Sequence, residues 1–360
     1  MRIIFFTRLF YPHIGGVEKH VMEVSQSLIA KGHEVTIITE DFIGKNTEFT
    51  DEYVNNIHVY RLPVGEDDWF KKFRIWSKLW KLRRIIEKAD VIHCHDVFFW
   101  YLPFWFLNPF LPVYTTFHGY ESTPIKRGAI LQRKIAEKLS NGNICIGDFI
   151  SKWYGTKPTI VCYGGVETDE KNVMLNSFQR PQKILKQVQD DKVKKNEKAK
   201  YDAVFWGRLD DQTSILSYIK TVELVRKKIP DFSLLTIGDG KYKEAVKSVG
   251  KTIDFQNNPN KYLSFAHYAF VSRYLSMLEA MIAKKLVFAF YDDEIKKDYL
   301  MMSPFAKYTI IKGSPEEMVK SILYYKNHPK EEKETVEKAY QWAKKQTWDK
   351  VSEIYLELWH

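Results

Sequence analysis

The stretch SRYLSMLEAM, from Ser272 to Met281, follows the apolar run HYAFV and decides the fold class of this chain. The apolar run is typical of a buried parallel strand, and the residues after it can form a helix that carries Glu279 near its start. The beginning of the chain repeats this arrangement, because the run RIIFFT leads through the loop YPHIGGVEKH into a periodic segment. Strands that lead directly into helices predict an α/β protein with parallel sheets.

Apolar runs and helical segments alternate along most of the chain. Val17, Val21, Val24 and Leu28 recur at helical spacing, and Gly32 ends the predicted helix. The further runs that we interpret as strands are EVTIIT, NIHVYRLP, DVIHCHD, VYTTFHG, NICIG and TIVCYGG, then DAVFW, FSLLTI, TIDF, LVFAF and KYTII. This alternation predicts doubly wound parallel sheets. At 360 residues, two domains of ordinary size are expected.

Composition divides the chain into four parts. Residues 1–165 are predicted to form a first α/β domain, and residues 201–335 a second. Residues 166–200 are rich in Lys, Gln and Asp and show little apolar periodicity, which predicts a mobile linker or insertion. Residues 336–360 are predicted to be a C-terminal helix, whose Trp and Tyr residues offer more apolar surface than an isolated terminal helix needs.

Charge and cysteine usage restrict the partners and the compartment. A net charge of +10 favours an anionic partner: a nucleotide diphosphate, an acidic membrane surface or a nucleic acid. General surface solubility is an equally good explanation. No nucleic-acid-binding motif accompanies the charges, so we expect no nucleic-acid partner. Cys94, Cys145 and Cys162 are widely spaced and odd in number, which, with no predicted secretory signal, indicates a reducing, cytoplasmic location.

One apolar segment could suggest a membrane span. Residues 98–117 are nearly long enough, but Pro103, Pro109 and Pro112 would interrupt a spanning helix repeatedly. We therefore expect no span there.

A basic segment offers a different kind of membrane contact. Residues 71–88 carry eight Lys and Arg residues against Glu87 alone, with Phe73, Trp76 and Trp80 at helical spacing. Such a helix can lie on an anionic membrane surface, on the inner face of the cell membrane. The alternative, that the aromatic residues simply pack into a domain core, is equally favoured by the sequence.

The loop that follows the first strand contains Gly15 and Gly16. Glycines between a strand and a helix allow close backbone approach, and the helix N-terminus favours an anion. A plain tight turn would have the same sequence. A dinucleotide-binding dehydrogenase is disfavoured, because no G-x-G-x-x-G follows this strand.

A second polar group, HCHD, ends the strand that contains His93, Cys94 and His95. On a strand His93 and His95 face one side and Cys94 the other, and no second ligand cluster stands at a recognisable spacing, so we expect no metal site. The interpretation as part of a crevice at the strand end is preferred.

Two further residues stand where strands of the predicted sheets end, and Glu279 lies near the start of a predicted helix that follows a strand. His118 ends VYTTFHG, and ligands of open α/β sheets bind at such ends, where a His can donate to developing negative charge or to a sugar hydroxyl. Arg208 follows the strand AVFW and has a fork suited to phosphate oxygens. Glu279 can accept hydrogen bonds from the two hydroxyls of a ribose. A local hydrogen bond for His118, and surface ion pairs for Arg208 and Glu279, are the alternatives.

These elements together resemble a known family. The order YPHIGGVEKHV, GHEVTIIT, HCHD, TTFHG, GGVE, VFWGRL, IGDG and SxxxxxLEAM is similar to that of the family-4 retaining glycosyltransferases, over nearly the whole chain apart from the insertion. The resemblance implies the GT-B fold, with two Rossmann-like domains facing a cleft, acceptor in the N-terminal domain and nucleotide-sugar donor in the C-terminal one. It also implies transfer with retention and without a metal. We expect no cofactor, and our leading hypothesis for the acceptor is a lipid-linked sugar or a polysaccharide precursor.

The resemblance also implies roles for individual residues. Gly15 and Gly16 would contact the donor phosphates or the acceptor, and His118 would act catalytically against the transferred sugar. Arg208 would bind the diphosphate, Glu279 the ribose, and Gly238 of the IGDG motif belongs to the same donor site. The last helix, with Trp348 and Trp359, would pack on the N-terminal domain.

Two positions depart from the family pattern. A lysine is usual after the GRL element, where this chain has Thr213, and a glutamate is usual eight residues before Glu279, where this chain has Val271. The alternative hypothesis is therefore a GT-B-fold protein that binds sugar nucleotides through a degenerate, catalytically weak donor site.

Overall fold

The chain folds into two compact units. A computed structural model describes residues 1–42, 49–168, 199–256 and 260–360. Unit 1 comprises Met1–Gly165 together with Trp348–His360, and unit 2 comprises Val166–Thr347. Most of the predicted linker, residues 169–198, lies outside the described residues.

An eight-stranded sheet forms the centre of unit 1. Its strands are β1 (Arg2–Thr7), β2 (Glu34–Glu40), β3 (Thr50–Val54), β4 (Ile57–Leu62), β5 (Val91–His95), β6 (Val113–Phe117), β7 (Gly142–Ile146) and β8 (Ile160–Cys162). Their order is β3-β4-β2-β1-β5-β6-β7-β8, and all neighbours are parallel except the antiparallel pair β3 and β4. The central strands are buried along most of their length because helices cover both faces of such a sheet.

Seven helices accompany this sheet among the described residues. They are α1 (Gly16–Ala30), α2 (Lys71–Lys81), α3 (Arg83–Ile86), α4 (Phe98–Leu107), α5 (Arg127–Leu139), α6 (Phe149–Tyr154) and the C-terminal helix (Trp348–Trp359). The basic segment 71–88 is thus two helices, interrupted at Leu82, rather than the single predicted helix. The apolar segment 98–117 is divided between α4 and β6, and no described helix is long and apolar enough to cross a membrane.

Unit 2 contains a six-stranded parallel sheet. Its strands are β9 (Tyr201–Trp206), β10 (Leu234–Ile237), β11 (Lys251–Ile253), β12 (Ala266–Phe270), β13 (Leu286–Phe290) and β14 (Thr309–Lys312), in the order β11-β10-β9-β12-β13-β14. Its helices are α7 (Ile215–Arg226), α8 (Lys243–Lys247), α9 (Asn260–Leu263), α10 (Tyr274–Ile282), α11 (Glu294–Met301), α12 (Pro315–Asn327) and α13 (Pro329–Ala343), and the C-terminal helix of unit 1 is α14. Both sheets therefore have the doubly wound order that the sequence predicts.

The C-terminal region differs from its prediction. Residues 336–360 are not one helix, because α13 ends at Ala343 and α14 begins at Trp348. Ala339 and Ala343 are buried within unit 2, and the Trp342 ring lies 5.3 Å from that of Phe305. The chain therefore enters unit 1 only at Trp348, twelve residues later than the predicted boundary.

The helix α14 packs against α1 in unit 1. Ser27 of α1 donates to a carboxylate oxygen of Asp349 at 2.7 Å and lies 2.9 Å from the hydroxyl of Ser352. Tyr355 is fully buried, and Trp359 is 8% exposed. This helix thus supplies large apolar side chains and polar groups to the core of unit 1.

Candidate functional site

The strand order of unit 1 reverses between β1 and β5, which are adjacent and parallel. Loops that leave the carboxyl ends of strands separate at such a point, and ligands of open α/β sheets bind there. Asp96 directly follows β5, and His118 directly follows the neighbouring strand β6. The fold therefore brings polar residues from distant parts of the sequence to the same sheet end.

His118 is held at this point by several contacts. Its main-chain N–H lies 3.2 Å from each carboxylate oxygen of Asp96, and its Nε2 atom lies 2.8 Å from Nδ1 of His95. The ring of His20 packs edge-on against it, with centroids 4.9 Å apart. Burial above all, and then neighbouring positive charge, lowers the pKa of His118 well below its usual value. His118 is therefore a neutral imidazole at neutral pH.

Trp359 determines the direction of a chain of hydrogen bonds near His118, because an indole N–H can only donate. It donates to Nδ1 of His93 at 3.1 Å, so neutral His93 carries its proton on Nε2 and donates to Thr116 Oγ1 at 2.7 Å. Thr116 then donates to the Tyr355 hydroxyl at 3.0 Å, and Tyr355 donates to Nε2 of His20 at 2.8 Å. Burial lowers the pKa of His93 well below its usual value and that of His20 to about 3. The neutral ring of His20 therefore carries its proton on Nδ1.

The ring of His95 connects this cluster to His118. Its Nδ1 atom meets Nε2 of His118, whereas its buried Nε2 atom has no hydrogen-bond partner among the described residues. Buried N–H groups without a partner are rarer in proteins than buried acceptors without one. This favours a proton on His95 Nδ1 that is donated to His118. His118 then carries its own proton on Nδ1, as a neutral donor.

A buried arginine, Arg133, lies close to Asp96. Arg133 Nη2 is 3.8 Å from Asp96 Oδ1 and 2.8 Å from Glu121 Oε1, and its guanidinium stacks 3.8 Å from the ring centre of Tyr154. Burial raises the pKa of Asp96 to about 6, while the charge of Arg133 acts in the opposite direction. Arg133 thus stabilises the carboxylate that accepts the His118 N–H.

Gly15 and Gly16, in the loop after β1, have different surroundings. Gly15 is the N-cap of α1, and a Cβ there would collide with the carboxylate of Glu18 from the first turn of the same helix. Glu18 is 6% exposed, and its Oε1 lies 2.6 Å from Nδ1 of His13. A Cβ at Gly16 would meet nothing within 4 Å. The carboxylate at the helix N-terminus therefore competes with an incoming anion at Gly15, and Gly16 is the open position.

In unit 2 the strand order reverses between β9 and β12. Arg208 follows β9 after Gly207, with its side chain 53% exposed and its Nε 3.3 Å from Asp210 Oδ2. Glu279 lies on α10, the helix after β12, and its Oε2 accepts a hydrogen bond from Trp206 Nε1 at 2.9 Å. The structure therefore places both predicted donor residues in elements that start at this reversal.

Gly238 is required by backbone packing. It follows β10, and a Cβ there would fall on the main-chain oxygen of Gly207. The main-chain N–H of Gly207 in turn donates to the oxygen of Ile237 at 3.0 Å. Gly238 therefore lets the loop that carries Arg208 lie against the end of β10.

The two positions that depart from the family pattern are buried. Thr213 is 6% exposed, and its hydroxyl lies 2.8 Å from the main-chain oxygens of both Arg208 and Asp210. Val271 is 1% exposed. Neither side chain is available to a ligand in the way that a lysine or a glutamate would be.

Two basic residues that sequence reasoning missed accompany Arg208. Arg273 stands three residues after the end of β12, directly before α10, so its position beside the reversal could have indicated it. Lys296 lies on α11 and is 2% exposed, and no sequence signal connects it with the loop after β9. His20, His95 and Tyr355 were missed as partners in the cluster around His118.

Within the described ranges, no group of three or more His, Cys, Asp or Glu side chains is arranged to hold a metal ion. His93 and His95 lie on one face of β5, with ring centroids 5.1 Å apart, and both contact Phe5. Their polar partners are side chains of unit 1.

Comparison with known proteins identifies relatives. Residues 14–170 match the family model described as Glycosyltransferase Family 4. One subunit of the human phosphatidylinositol N-acetylglucosaminyltransferase is 34% identical over 92 residues, which are 25% of this chain and 19% of that protein. The chain thus spans about a fifth of the length of the curated relatives that it matches.

Solved structures resemble the fold over the whole chain. Sucrose-phosphate synthase from Thermosynechococcus elongatus gives a TM-score of 0.72 at 15% identity, covering 99% of this chain and 98% of that one. HepE from Anabaena, solved in complex with UDP, gives a TM-score of 0.68 at 14% identity, covering 99% of each chain. At these identities the likeness concerns the fold.

Proposed function

Because the chain belongs to the family-4 glycosyltransferases of the GT-B fold, we propose that it transfers a sugar from a nucleotide diphosphate sugar to an acceptor, with retention at the anomeric carbon. An acceptor hydroxyl oxygen bonds to the anomeric carbon, and the bond from that carbon to the diphosphate breaks. The acceptor proton leaves with the nucleoside diphosphate. We assign no metal or cofactor to this step.

The observation that carries the proposal is the position of Arg208 and Glu279 at the strand-order reversal of unit 2. The half-exposed guanidinium of Arg208 binds the diphosphate, for which its fork is suited. Glu279, oriented by Trp206, accepts hydrogen bonds from the ribose hydroxyls. Gly238 supports the same loop, and the complex of the similarly folded HepE contains UDP.

His118 of unit 1 acts on the transferred sugar. Its neutral ring donates from Nδ1 to a sugar oxygen, and His95 keeps the ring in that orientation. The open backbone at Gly16 contacts the donor phosphates or the acceptor, with Gly15 fixed as the helix cap. A donor held rigidly, with its leaving group stabilised, provides much of what retaining transfer requires.

Calorimetric titration tests the donor site. Wild type is titrated with UDP-, GDP- and ADP-sugars beside Arg208→Ala and Glu279→Gln. Each substitution is expected to weaken binding of the preferred donor by about 1.5–3 kcal/mol, the usual scale for a hydrogen bond to a charged group. Lys220→Gln is the control, since Lys220 is exposed on α7 and pairs with Glu223. Wild-type affinity in both site variants would show that the donor binds elsewhere.

A binding protein without efficient turnover is the second candidate function. The buried Thr213 and Val271 favour it, because the usual lysine and glutamate are missing. The main-chain N–H of Tyr274 at the start of α10 also already donates to the Tyr299 hydroxyl at 2.8 Å. Donor binding that is followed by neither sugar transfer nor sugar hydrolysis would establish this alternative.

The outer face of α2 supports peripheral docking on an anionic membrane. Ile75 and Leu79 pack this helix into the core, whereas Phe73 and Trp80 remain 55% and 48% exposed. Trp76 is partly buried, and its indole donates to a main-chain oxygen of α4 at 2.8 Å. Core packing therefore accounts for Trp76 but leaves about half of the surface of Phe73 and of Trp80 exposed.

More exposed apolar side chains lie just before α2 and around the end of α4. They are Trp69, Phe70, Phe106, Leu107 and Phe110. With the lysines of α2, they offer an amphipathic surface to the anionic cytoplasmic face of a membrane. Docking there would deliver a lipid-linked or polysaccharide-precursor acceptor, and one relative's name refers to a lipid, phosphatidylinositol.

Vesicle sedimentation tests this docking. The protein is expected to bind phosphatidylglycerol vesicles at low salt and phosphatidylcholine vesicles weakly. Lys72→Glu with Lys81→Glu should reduce binding more than tenfold, at about 1 kcal/mol for each lysine near the surface. Tyr53→Ser is the control, because Tyr53 is 72% exposed on β3. Equal binding to both vesicles at low and high salt would contradict electrostatic docking.

A further inference from the structure

Three basic side chains of unit 2 meet at Gln212. Arg208 Nη2 and Arg273 Nη2 donate to the same amide oxygen, Gln212 Oε1, at 2.9 and 2.6 Å. Lys296 Nζ lies 3.4 Å from the main-chain oxygen of Gln212 and also donates to the main-chain oxygen of Ser272. The loop after β9, the segment after β12 and helix α11 therefore each contribute one basic side chain to a single place.

Three aspartates accompany these basic groups: Asp210 beside Arg208, and Asp292 and Asp293 near Lys296. Asp210 pairs with Arg208 through Oδ2, and its buried Oδ1 has no hydrogen-bond partner among the described residues. Burial and the charge of Arg273 lower the pKa of Lys296 well below its usual value, although Asp292 and Asp293 act in the opposite direction. Two guanidinium groups thus share one neutral oxygen, an arrangement that an anion with several acceptor oxygens would stabilise more strongly.

We propose that Arg208 and Arg273 together form the diphosphate-binding site of this chain, with the Gln212 amide oxygen occupying the position of a phosphate oxygen until a nucleoside diphosphate displaces it. Lys296 acts as a positioning residue, because its Nζ atom joins the loop at Gln212 to Ser272, two residues after β12. This inference rests on the proposed function and names the ligand contacts of its donor site.

The local structure explains why Arg273 is needed. Thr213 stands where the family has its second diphosphate-binding cation, but its hydroxyl is turned inward to two main-chain oxygens of the Arg208 loop. Arg273 is fixed from the other side, since its guanidinium lies 5.9 Å from the ring centre of Tyr299. The second cation therefore comes from the strand end after β12 rather than from the loop after β9.

Calorimetric titration with UDP and with inorganic pyrophosphate tests the proposal without requiring turnover. Arg273→Gln is expected to weaken the binding of both probes roughly tenfold or more, with a smaller salt dependence than wild type. Arg273→Lys keeps the charge but lacks the guanidinium fork, so its affinity for both probes should lie between those of wild type and Arg273→Gln. Gln212→Ala removes the competing oxygen and should bind at least as tightly as wild type. Lys220→Gln changes the charge equally and should have no effect.

The outcomes separate this proposal from the function on which it rests. Wild-type binding of both probes by a folded Arg273→Gln variant, with weakened binding by Arg208→Ala, overturns the role of Arg273 and leaves the donor site in place. Failure of wild type to bind either probe overturns the diphosphate site. Pyrophosphate binding that depends on Arg273, without sugar transfer from any donor, supports the site and contradicts the proposed function.

Discussion

Acidification should destabilise unit 1 through its buried histidines. Burial lowers the pKa of His20 from 6.5 to about 3 in the folded protein, so the folded state excludes a proton that the unfolded state accepts. A depressed pKa contributes stability that is present above 6.5 and is lost as the pH falls towards 3. At about pH 5, linkage gives a loss of about 2 kcal/mol from His20 alone, relative to neutral pH.

The groups around His20 add to this effect or oppose it. The pKa values of His93, His95 and His118 are also well below the usual one. The stability that these residues contribute to the folded protein is therefore likewise lost as the pH falls. Asp96 acts oppositely, since its pKa is raised to about 6 and protonation below that value favours the folded state. A variant of His20 alone is therefore needed to isolate its contribution.

Urea denaturation at pH 7.5 and 5, on wild type and His20→Gln, provides the measurement. Glutamine retains an acceptor for the Tyr355 hydroxyl but does not titrate. On acidification, the free energy of unfolding of the variant should fall by about 2 kcal/mol less than that of wild type. His360→Gln, at an exposed position of unit 1, should behave as wild type. Equal losses in wild type and His20→Gln would refute the reasoning.

Three further outcomes follow from the packing. Gly238→Ala should lower stability by about 1–3 kcal/mol, measured by denaturation, because the Gly207 carbonyl leaves no room for a Cβ. Deleting residues 348–360 should make residues 1–165 sensitive to protease, since each buried large side chain of α14 contributes roughly 1.5–3 kcal/mol; unchanged resistance would contradict its role in unit 1. Trp206→Phe should weaken nucleotide-sugar binding about tenfold, through loss of the hydrogen bond to Glu279, with thermal stability nearly kept.

The fold was predictable because local patterns carry most of it. Short apolar runs that alternate with periodic segments predicted two parallel-sheet α/β domains, and this fold class is confirmed. Helix α4 was not predicted, because its residues are apolar on all sides and include Pro103. The break between α13 and α14 was missed, since aromatic residues stand on both sides of it and it contains no proline or glycine.

The site was predictable only where a residue stands at the end of a strand or in the loop or helix that follows it. Arg208 and His118 could be selected this way, and their proposed roles stay predictions. The partner of His20 could not be selected, because Tyr355 lies 335 residues further along the chain. The approach of Lys296 to Gln212 likewise depends on tertiary packing, which periodicity does not encode.

Sugar transfer by wild type and His118→Ala tests the central claim most directly. Both proteins are incubated with radiolabelled nucleotide sugars and lipid extracts, and donor affinity is measured in parallel by calorimetry. We predict transfer by wild type from at least one donor, and a severe loss in His118→Ala with donor affinity largely kept. Equal rates in the two proteins would contradict a catalytic role for His118, and no transfer by wild type across a broad donor panel would contradict the proposed activity.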